Sequence, residues 1–323
     1  MPILEAEARP KPRSHEKYER LISRAQRLAP ARTAIAHPCD KSSLESAVEG
    51  AKLKLIVPIL VGPRSKIEKA AADNKLDISD FEIVEAAHSH DAAAKAVALV
   101  REGKAEALMK GSLHTDELMG AVVARDTGLR TSRRISHCFI MDVPGHSEPL
   151  VITDAAVNIA PTLKDKIDIV QNAIDMVHAM GVTDVRVAIL SAMETINPDV
   201  ASTLEAAALC KMADRGQITG AAIDGPLALD NAISPEAAAI KKIKSPVAGR
   251  ANVLVVPDLE AGNMLAKSLS FLAGADAAGI VLGARVPIIL TSRADSLPAR
   301  LASCAVALLL AASRRVDAAA AVQ

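Results

Sequence analysis

The sequence has few aromatic residues: tryptophan is absent, and only one tyrosine and three phenylalanines occur among 323 residues. Proteins that bind single-stranded nucleic acid by stacking need such rings, so this class is disfavoured. An excess of one charge is also lacking, because 38 basic residues balance 38 acidic ones. Without a charged patch, the sequence predicts neither a nucleic-acid partner nor a membrane partner.

Motifs of several enzyme classes are missing. There is no GxGxxG after a strand, no GxxxxGK[ST] and no HExxH, which disfavours dinucleotide, ATP and zinc chemistry. The cysteines, Cys39, Cys138, Cys210 and Cys304, are far apart, which favours reduced, buried thiols. No uninterrupted apolar stretch reaches the roughly 18 residues of a membrane span. Since the charged start of the chain has no apolar signal core, we expect a cytoplasmic protein.

Half of the residues are hydrophobic, and they form short apolar runs that alternate with helical patterns. Strands are predicted at Thr33–His37 and Leu55–Gly62, and a long helix at Leu163–Met180. Further strands are predicted at Ile218–Ile223 and around Gly283. Such alternation is typical of an α/β fold, a mainly parallel sheet with helices on both faces.

The length of the chain predicts two domains with a cleft between them. Residues 1–13 are charged and predicted to be a disordered lead-in. The first α/β domain is predicted to be discontinuous, with residues 14–147 plus 285–323, because strand-plus-helix endings often complete an earlier sheet. Residues 148–284 would form the second, inserted α/β domain.

Two segments at strand ends have residues that could bind an anion. In MKGSLHT, Met109–Thr115, a glycine and hydroxyl groups precede a predicted helix, whose N-terminus offers free N–H groups to phosphate. In TSRADS, Thr291–Ser296, Arg293 could pair with phosphate while Ser292 donates a hydrogen bond. Ordinary alternatives are open for both: a glycine turn with a helix cap, and a cap with a surface arginine.

Three other loops are polar at the ends of predicted strands: ITDAAVNIAP, IDGPLALDNA and VVPDLEAGN. The carboxyl ends of parallel strands share one edge, so these loops are predicted to form one rim of the cleft. The candidate residues of this rim are Thr153, Asp154, Asn158, Asp224, Asp230, Asp258 and Asn263.

These five segments occur in an order and spacing that resemble the phosphate acetyltransferase/phosphate butyryltransferase family, from about Lys17 to Ala312. The sequence is most similar to the variety that also occurs fused to a MaoC-like hydratase domain. The resemblance implies two three-layer αβα domains with mainly parallel sheets and an interdomain cleft, an isocitrate/isopropylmalate dehydrogenase-like architecture. It also implies a homodimer without a metal or covalent cofactor.

The reaction that the resemblance implies is reversible transfer of an acetyl group between coenzyme A and inorganic phosphate, giving acetyl phosphate. Ser292 and Arg293 match the functional serine-arginine pair of the family, and Ser112 and Thr115 would bind phosphate or acyl phosphate. Further substrate-binding candidates are Asn158, Asp224, Pro226, Asp230, Asn263 and Arg285.

One position departs from the family pattern. Acetyl-transferring members typically have a carboxylate six residues after the arginine, as a base toward the CoA thiol, and here that residue is Ala299. Asp295 is a possible substitute, although it could equally cap the last helix. Part of a thiol is ionised at neutral pH, so a dedicated base helps without being indispensable.

Other functions are open at the level of sequence. The enzyme could prefer butyryl groups, because one or two methylenes change pocket binding by only about 1–3 kcal/mol. A non-catalytic protein that binds CoA or acyl phosphate would fit the missing carboxylate at Ala299. A decarboxylating dehydrogenase shares the architecture, but it would need a nicotinamide site and a divalent metal.

Overall fold

The computed structural model of the chain describes residues 16–291 and 295–320. The predicted lead-in, residues 1–13, lies outside the described residues, and so do Ser292 and Arg293. Strands and helices alternate along most of the chain. The strands are β1 Ala31–Ala36, β2 Ile56–Gly62, β3 Glu82–Glu85, β4 Ala107–Lys110, β5 Ser136–Asp142, β6 Leu150–Thr153, β7 Arg186–Leu190, β8 Ala222–Leu227, β9 Val253–Val255, β10 Asp276–Leu282 and β11 Ile288–Ile289.

The helices cover both faces of the sheet, and several start at side-chain caps. Asp40 accepts a hydrogen bond from the Ser43 N–H at 2.9 Å, a contact that typically stabilises a helix by about 1 kcal/mol. The helices are α1 Glu16–Ala25, α2 Lys41–Lys52, α3 Arg64–Asp73, α4 Ser89–Arg101, α5 Thr115–Val123, α6 Leu163–Ala179, α7 Ala201–Asp214, α8 Leu229–Ile233, α9 Pro235–Ile240, α10 Leu259–Phe271 and α11 Leu297–Ala320.

The described strands form one sheet in the order β3-β2-β1-β4-β11-β10-β5-β6-β9-β7-β8. We call β3, β2, β1, β4 and β11 the first parallel block, and β6, β9, β7 and β8 the second parallel block. Between them, β10 pairs antiparallel with β11 and β5, and β5 pairs antiparallel with β6. We call β10 and β5 the antiparallel centre. The predicted α/β fold with a mainly parallel sheet is therefore confirmed.

The two blocks run in opposite directions because three successive antiparallel pairings separate them. Their strands therefore have their carboxyl ends at opposite edges of the sheet. The expectation of a separate sheet in each domain is wrong, since all described strands belong to one sheet. The predicted return of the last strand to the first half is seen in the pairing of Ile288 with Leu108.

One strand differs from its predicted position. A strand was predicted at Ile218–Ile223, but β8 begins at Ala222 and extends to Leu227. Gly220 has a φ of +89°, a left-handed conformation that places a turn just before the strand. Asp224 and Pro226 therefore lie inside an edge strand instead of a loop.

The last helix is the most buried long helix of the fold. It packs against α1, α2, α6 and β10, and its residues from Ala302 to Ala307 are all fully buried. Among the described residues, Leu297–Val316 is the one span whose length and composition would suffice to cross a membrane, yet 72% of its apolar window is buried inside the protein. Burial of this kind is typical of a core helix.

Candidate functional site

A cavity of about 960 Å³ lies over the antiparallel centre of the sheet. Its floor contains His137 and Phe139 of β5 and Ala277 of β10. These residues share one face because side chains along a strand alternate between the two sides of a sheet. The volume falls within the range of small-molecule sites, which is about 300–1,000 Å³.

One wall of the cavity is helix α10. Asn263, Ala266, Lys267 and Ser270 line it, and their spacing of three to four residues places them on one helical face. The helix lies close to the loop after β6, since a Cβ on Gly262 would come within 2.8 Å of the Ala155 Cβ. This glycine lets α10 approach the cavity floor.

The opposite wall follows the end of β4. Lys110, Leu113, His114 and Thr115 line the cavity there, and Thr115 is the first residue of α5. Only a glycine fits at Gly111, because a Cβ would lie 2.4 Å from the Ala36 carbonyl oxygen. The predicted MKGSLHT segment thus presents a helix start to the cavity.

The third side is formed where the chain passes from β11 to α11. Leu290, Thr291, Asp295, Ser296 and Ala299 line the cavity. Ser292 and Arg293, the predicted catalytic pair, lie between Thr291 and Asp295 in the sequence but outside the described residues.

Ser296, and not Asp295, caps helix α11. The Ser296 hydroxyl accepts a hydrogen bond from the Ala299 N–H at 3.3 Å and donates one to Asp276 Oδ1 at 2.8 Å. The cap alternative for Asp295 is therefore wrong. The carboxylate of Asp295 belongs to a residue that lines the cavity, and this position suits its predicted role as a base.

Of the predicted substrate-binding residues, Thr115 and Asn263 line this cavity. Ser112 lies just beside it: its hydroxyl donates to the His37 carbonyl at 2.7 Å and accepts from the Cys39 N–H at 3.2 Å. The hydroxyl therefore ties the end of β4 to the residues that follow β1.

Asn158 is buried, and its side-chain amide is engaged within the protein. The amide nitrogen donates to Asp154 and to the Ile135 carbonyl, while the oxygen accepts from Arg134 Nε at 2.7 Å. The side chain thus holds the loop after β6 in place. Asp224, Pro226, Asp230 and Arg285 do not line this cavity, so their substrate-binding roles stay predictions.

Sequence reasoning missed His137, Phe139 and the two lysines of the cavity, Lys110 and Lys267. Burial lowers the pKa of His137 to about 4, although the charge of Asp154 acts in the opposite direction. The imidazole is therefore neutral at physiological pH. The alternation of residues along β5 could have placed His137 and Phe139 on one face, but not shown which face the cavity occupies.

Neither the two fully buried cysteines nor a cluster of metal ligands adds a reactive group to the described residues. Burial raises the pKa of the Cys138 and Cys304 thiols to about 12, so both stay protonated at neutral pH. Within residues 16–291 and 295–320, no group of three or more His, Cys, Asp or Glu side chains is placed to hold a metal ion.

Comparison with known proteins gives consistent matches. Residues 86–308 match the family described as phosphate acetyl/butaryl transferase. The chain is 65% identical to the phosphate acetyltransferase of Rhizobium meliloti, over 96% of this chain and 98% of that protein. It is 40% identical to the phosphate butyryltransferase of Clostridium beijerinckii, over 92% of this chain and 99% of that protein.

A solved structure matches as well. The branched-chain phosphotransacylase of Enterococcus faecalis superposes with a TM-score of 0.76 at 30% identity, covering 87% of this chain and 99% of that one. The mixed sheet described above is therefore shared with a phosphotransacylase of known structure.

Proposed function

Because the chain belongs to the phosphate acetyl/butaryl transferase family, we propose that it is a phosphate acetyltransferase, which moves an acetyl group reversibly between coenzyme A and inorganic phosphate. The observation that carries this conclusion is the identity to the Rhizobium meliloti phosphate acetyltransferase, which extends over nearly the whole of both proteins. The identity to the clostridial phosphate butyryltransferase is lower, which favours acetyl over butyryl. CoA, acetyl-CoA, phosphate and acetyl phosphate are the substrates, and the proposal includes no covalent cofactor.

The proposed chemistry is a direct attack in a ternary complex. A phosphate oxygen forms a bond to the thioester carbonyl carbon, whose oxygen gains negative charge. The C–S bond then breaks, and sulfur leaves with the electron pair. Two anions must approach each other in this step, so cationic groups and N–H donors are needed to offset the repulsion.

Arg293 and Ser292 are proposed to bind and polarise the reacting groups. Their sequence neighbours support this role, because Thr291 and Asp295 both line the cavity. Lys110 and Thr115 line it as well, and they supply a second cation and a helix N-terminus for phosphate. An arginine in such a place can pair with phosphate through two parallel hydrogen bonds.

Asp295 is proposed as the base toward the CoA thiol in the direction that forms acetyl-CoA. Ala299, where the family typically has a carboxylate, is buried and lines the same cavity as Asp295. Asp295, four residues earlier in the chain, is the acidic residue nearest in sequence to Ala299 that lines this cavity. Asn263, on the opposite wall, is proposed to contact the substrate.

We propose a cytoplasmic homodimer with a discontinuous first domain, residues 14–147 plus 285–323, and an inserted second domain, residues 148–284. We also propose the dehydrogenase-like two-domain architecture. Within the family, we propose that the chain belongs to the variety that is found fused to MaoC-like hydratase domains. The pairing of β11 with β4 supports the discontinuous first domain.

The test is CoA release from acetyl-, propionyl- and butyryl-CoA, followed with a thiol reagent, with and without phosphate and with no added metal. Release that depends on phosphate and is fastest with acetyl-CoA is expected. Faster release from butyryl-CoA would contradict the acetyl assignment alone. If none of the three substrates releases CoA, the proposed acyltransferase activity is contradicted, and a non-catalytic CoA-binding protein is favoured.

A further inference from the structure

His137 is a buried polar residue in the cavity floor that the mechanism above does not use. Its side chain is 1% exposed, and its Nδ1 has no hydrogen-bond partner among the described residues. The Phe139 ring packs edge-on against the imidazole, with 4.4 Å between the ring centroids. Buried polar groups in native proteins are normally hydrogen-bonded, so a histidine in this state calls for a reason.

The surroundings of the ring determine which nitrogen carries the proton. A neutral imidazole has one donor nitrogen and one acceptor nitrogen. Since Nδ1 has no acceptor beside it, a proton there would be a buried, unpaired donor, and the tautomer with the proton on Nε2 is favoured. The ring is therefore a donor at Nε2.

Nε2 lies on the side of the ring that faces β10 and the end of β11. A Cβ on Gly279 would come within 3.0 Å of Nε2 and within 2.7 Å of the Leu290 carbonyl oxygen. Gly279 thus places no Cβ against Nε2, and the polar atom nearest to that position is the Leu290 carbonyl oxygen. Leu290 and Thr291 line the same cavity as His137, so Nε2 lies beside the chain that follows β11 along the cavity wall.

We propose that His137 is a further catalytic residue, which donates a hydrogen bond from Nε2 to the oxygen of the acyl carbonyl while phosphate attacks. This assignment rests on the proposed function. As the new C–O bond forms, the carbonyl π electrons move onto the oxygen, and the hydrogen bond strengthens with that charge. The electron pair returns when the C–S bond breaks, and the proton stays on His137 throughout.

The low pKa of His137 fits this role. An imidazolium would be acidic enough to protonate the phosphate nucleophile, whereas a neutral imidazole can polarise a carbonyl without giving up its proton. The charged residues that line the cavity are Asp276, Asp295, Lys110 and Lys267. The charge of the buried Asp154, which is bonded within the loop after β6, also acts on His137.

The test compares phosphate-dependent CoA release by the wild-type enzyme and by His137→Leu, His137→Gln and Cys138→Ala. Leucine fills the space without a donor, so kcat should fall by about 10²–10³-fold, with a much smaller change in KM for acetyl-CoA. Glutamine keeps an N–H donor, so the kcat of His137→Gln should be at least about tenfold higher than the kcat of His137→Leu. Cys138, the next residue of β5, belongs to the core on the other face of the sheet, so Cys138→Ala should keep kcat within about threefold.

The outcomes separate the two proposals. A wild-type enzyme without phosphate-dependent release contradicts the proposed function itself. An active wild type together with a folded His137→Leu variant whose kcat is within threefold of wild type overturns only the role of His137.

If His137→Leu does not fold, the proposed hydrogen bond from His137 Nε2 is tested instead by ¹⁵N NMR of the wild-type protein with ¹⁵N-labelled histidine. The probe is an acetyl-CoA analogue in which a methylene group replaces the thioester sulfur. A shift of the His137 Nε2 resonance on adding this analogue is expected. An unchanged resonance at saturation overturns the proposal.

Discussion

At the scale of single residues, the proposed reaction depends most on one guanidinium group. Arg293→Ala should lower phosphate-dependent CoA release by at least about 10²-fold, because it removes a cation that the proposed reaction needs to stabilise the developing negative charge. The circular dichroism spectrum should not change. Arg64→Ala is the control, since Arg64 lies on α3 at the surface and pairs there with Glu68 and the Ile83 carbonyl. Near-normal turnover of the Arg293 variant would remove this residue from the mechanism.

Asp295 can be tested by its dependence on pH. In the direction that forms acetyl-CoA, Asp295→Asn should be slow at neutral pH and should recover as the pH approaches about 8.5, where the thiol ionises without help. Ser296→Ala is the comparison, because it removes the cap of α11 and should lower stability by about 1 kcal/mol without such a recovery. A loss of rate in Asp295→Asn that is the same at every pH would contradict the role of base.

How far the sequence predicts the site depends on how each residue is placed. Thr115 and Asp295 follow strands of the first parallel block, and both were predicted because ligands bind at the carboxyl ends of parallel strands. Asp224 lies inside β8, the outermost strand of the second parallel block, and Asp230 lies on α8 just after that strand. Neither lines the cavity, so their substrate-binding roles stay predictions. His137 lies within a strand, where no strand-end signal exists.

At the scale of elements, the sequence predicts most helices and strands well but not the direction of the strands. The predicted helix Leu163–Met180 differs from α6 by one residue. β5 and β10, by contrast, are short apolar runs whose residues fit parallel and antiparallel pairing equally well. Direction is decided by long-range pairing such as that of His137 with Val281, which local periodicity does not contain.

Arg300 fixes the start of α11 against α2, directly after the segment that carries Arg293. It is 6% exposed, and its guanidinium donates to Ser46 Oγ at 2.7 Å, to the Asp295 carbonyl at 2.6 Å and to Glu45 Oε2 at 2.7 Å. A lysine has one ammonium group and cannot copy this planar arrangement. Arg300 is therefore a positioning residue for the loop between β11 and α11.

Arg300→Lys should lower kcat about tenfold while KM for acetyl-CoA changes little, because a small displacement of reacting groups reduces the rate strongly. The matched control is Arg315→Lys on the same helix. Arg315 also pairs with a carboxylate, that of Glu106, and donates to backbone carbonyls, but it lies about four turns further along α11. Steady-state kinetics and thermal unfolding of both variants are compared, and equal losses of kcat would show that Arg300 acts through stability alone.

At the scale of the whole molecule, α10 presents apolar residues to solvent on the side away from the core. Met264 is 64% exposed and Leu272, just after the helix, is 87% exposed. Their spacing of eight residues places them on one helical face. Exposed apolar stripes of this kind often mark contacts between proteins, and this one supports the proposed homodimer.

The double variant Met264→Glu/Leu272→Glu should therefore be monomeric, since two carboxylates on each subunit would have to be buried in the interface. Light scattering after gel filtration measures the mass directly. Ile240→Glu, a change of another highly exposed apolar residue on α9, should leave the mass unchanged. A wild-type protein that is already monomeric would contradict the homodimer.

The position of β11 and α11 in chain order has a consequence for synthesis on the ribosome. β11 pairs with β4, and α11 packs against α1 and β1, although nearly the whole chain is translated between them. The residues of β6 to β9 can find their partners while the chain is still growing. The side of β1, β4 and α1 that packs against α11 stays uncovered until the ribosome has delivered α11. The part of the protein made first therefore completes its packing last, and nascent chains of this enzyme should remain chaperone clients until α11 has been made.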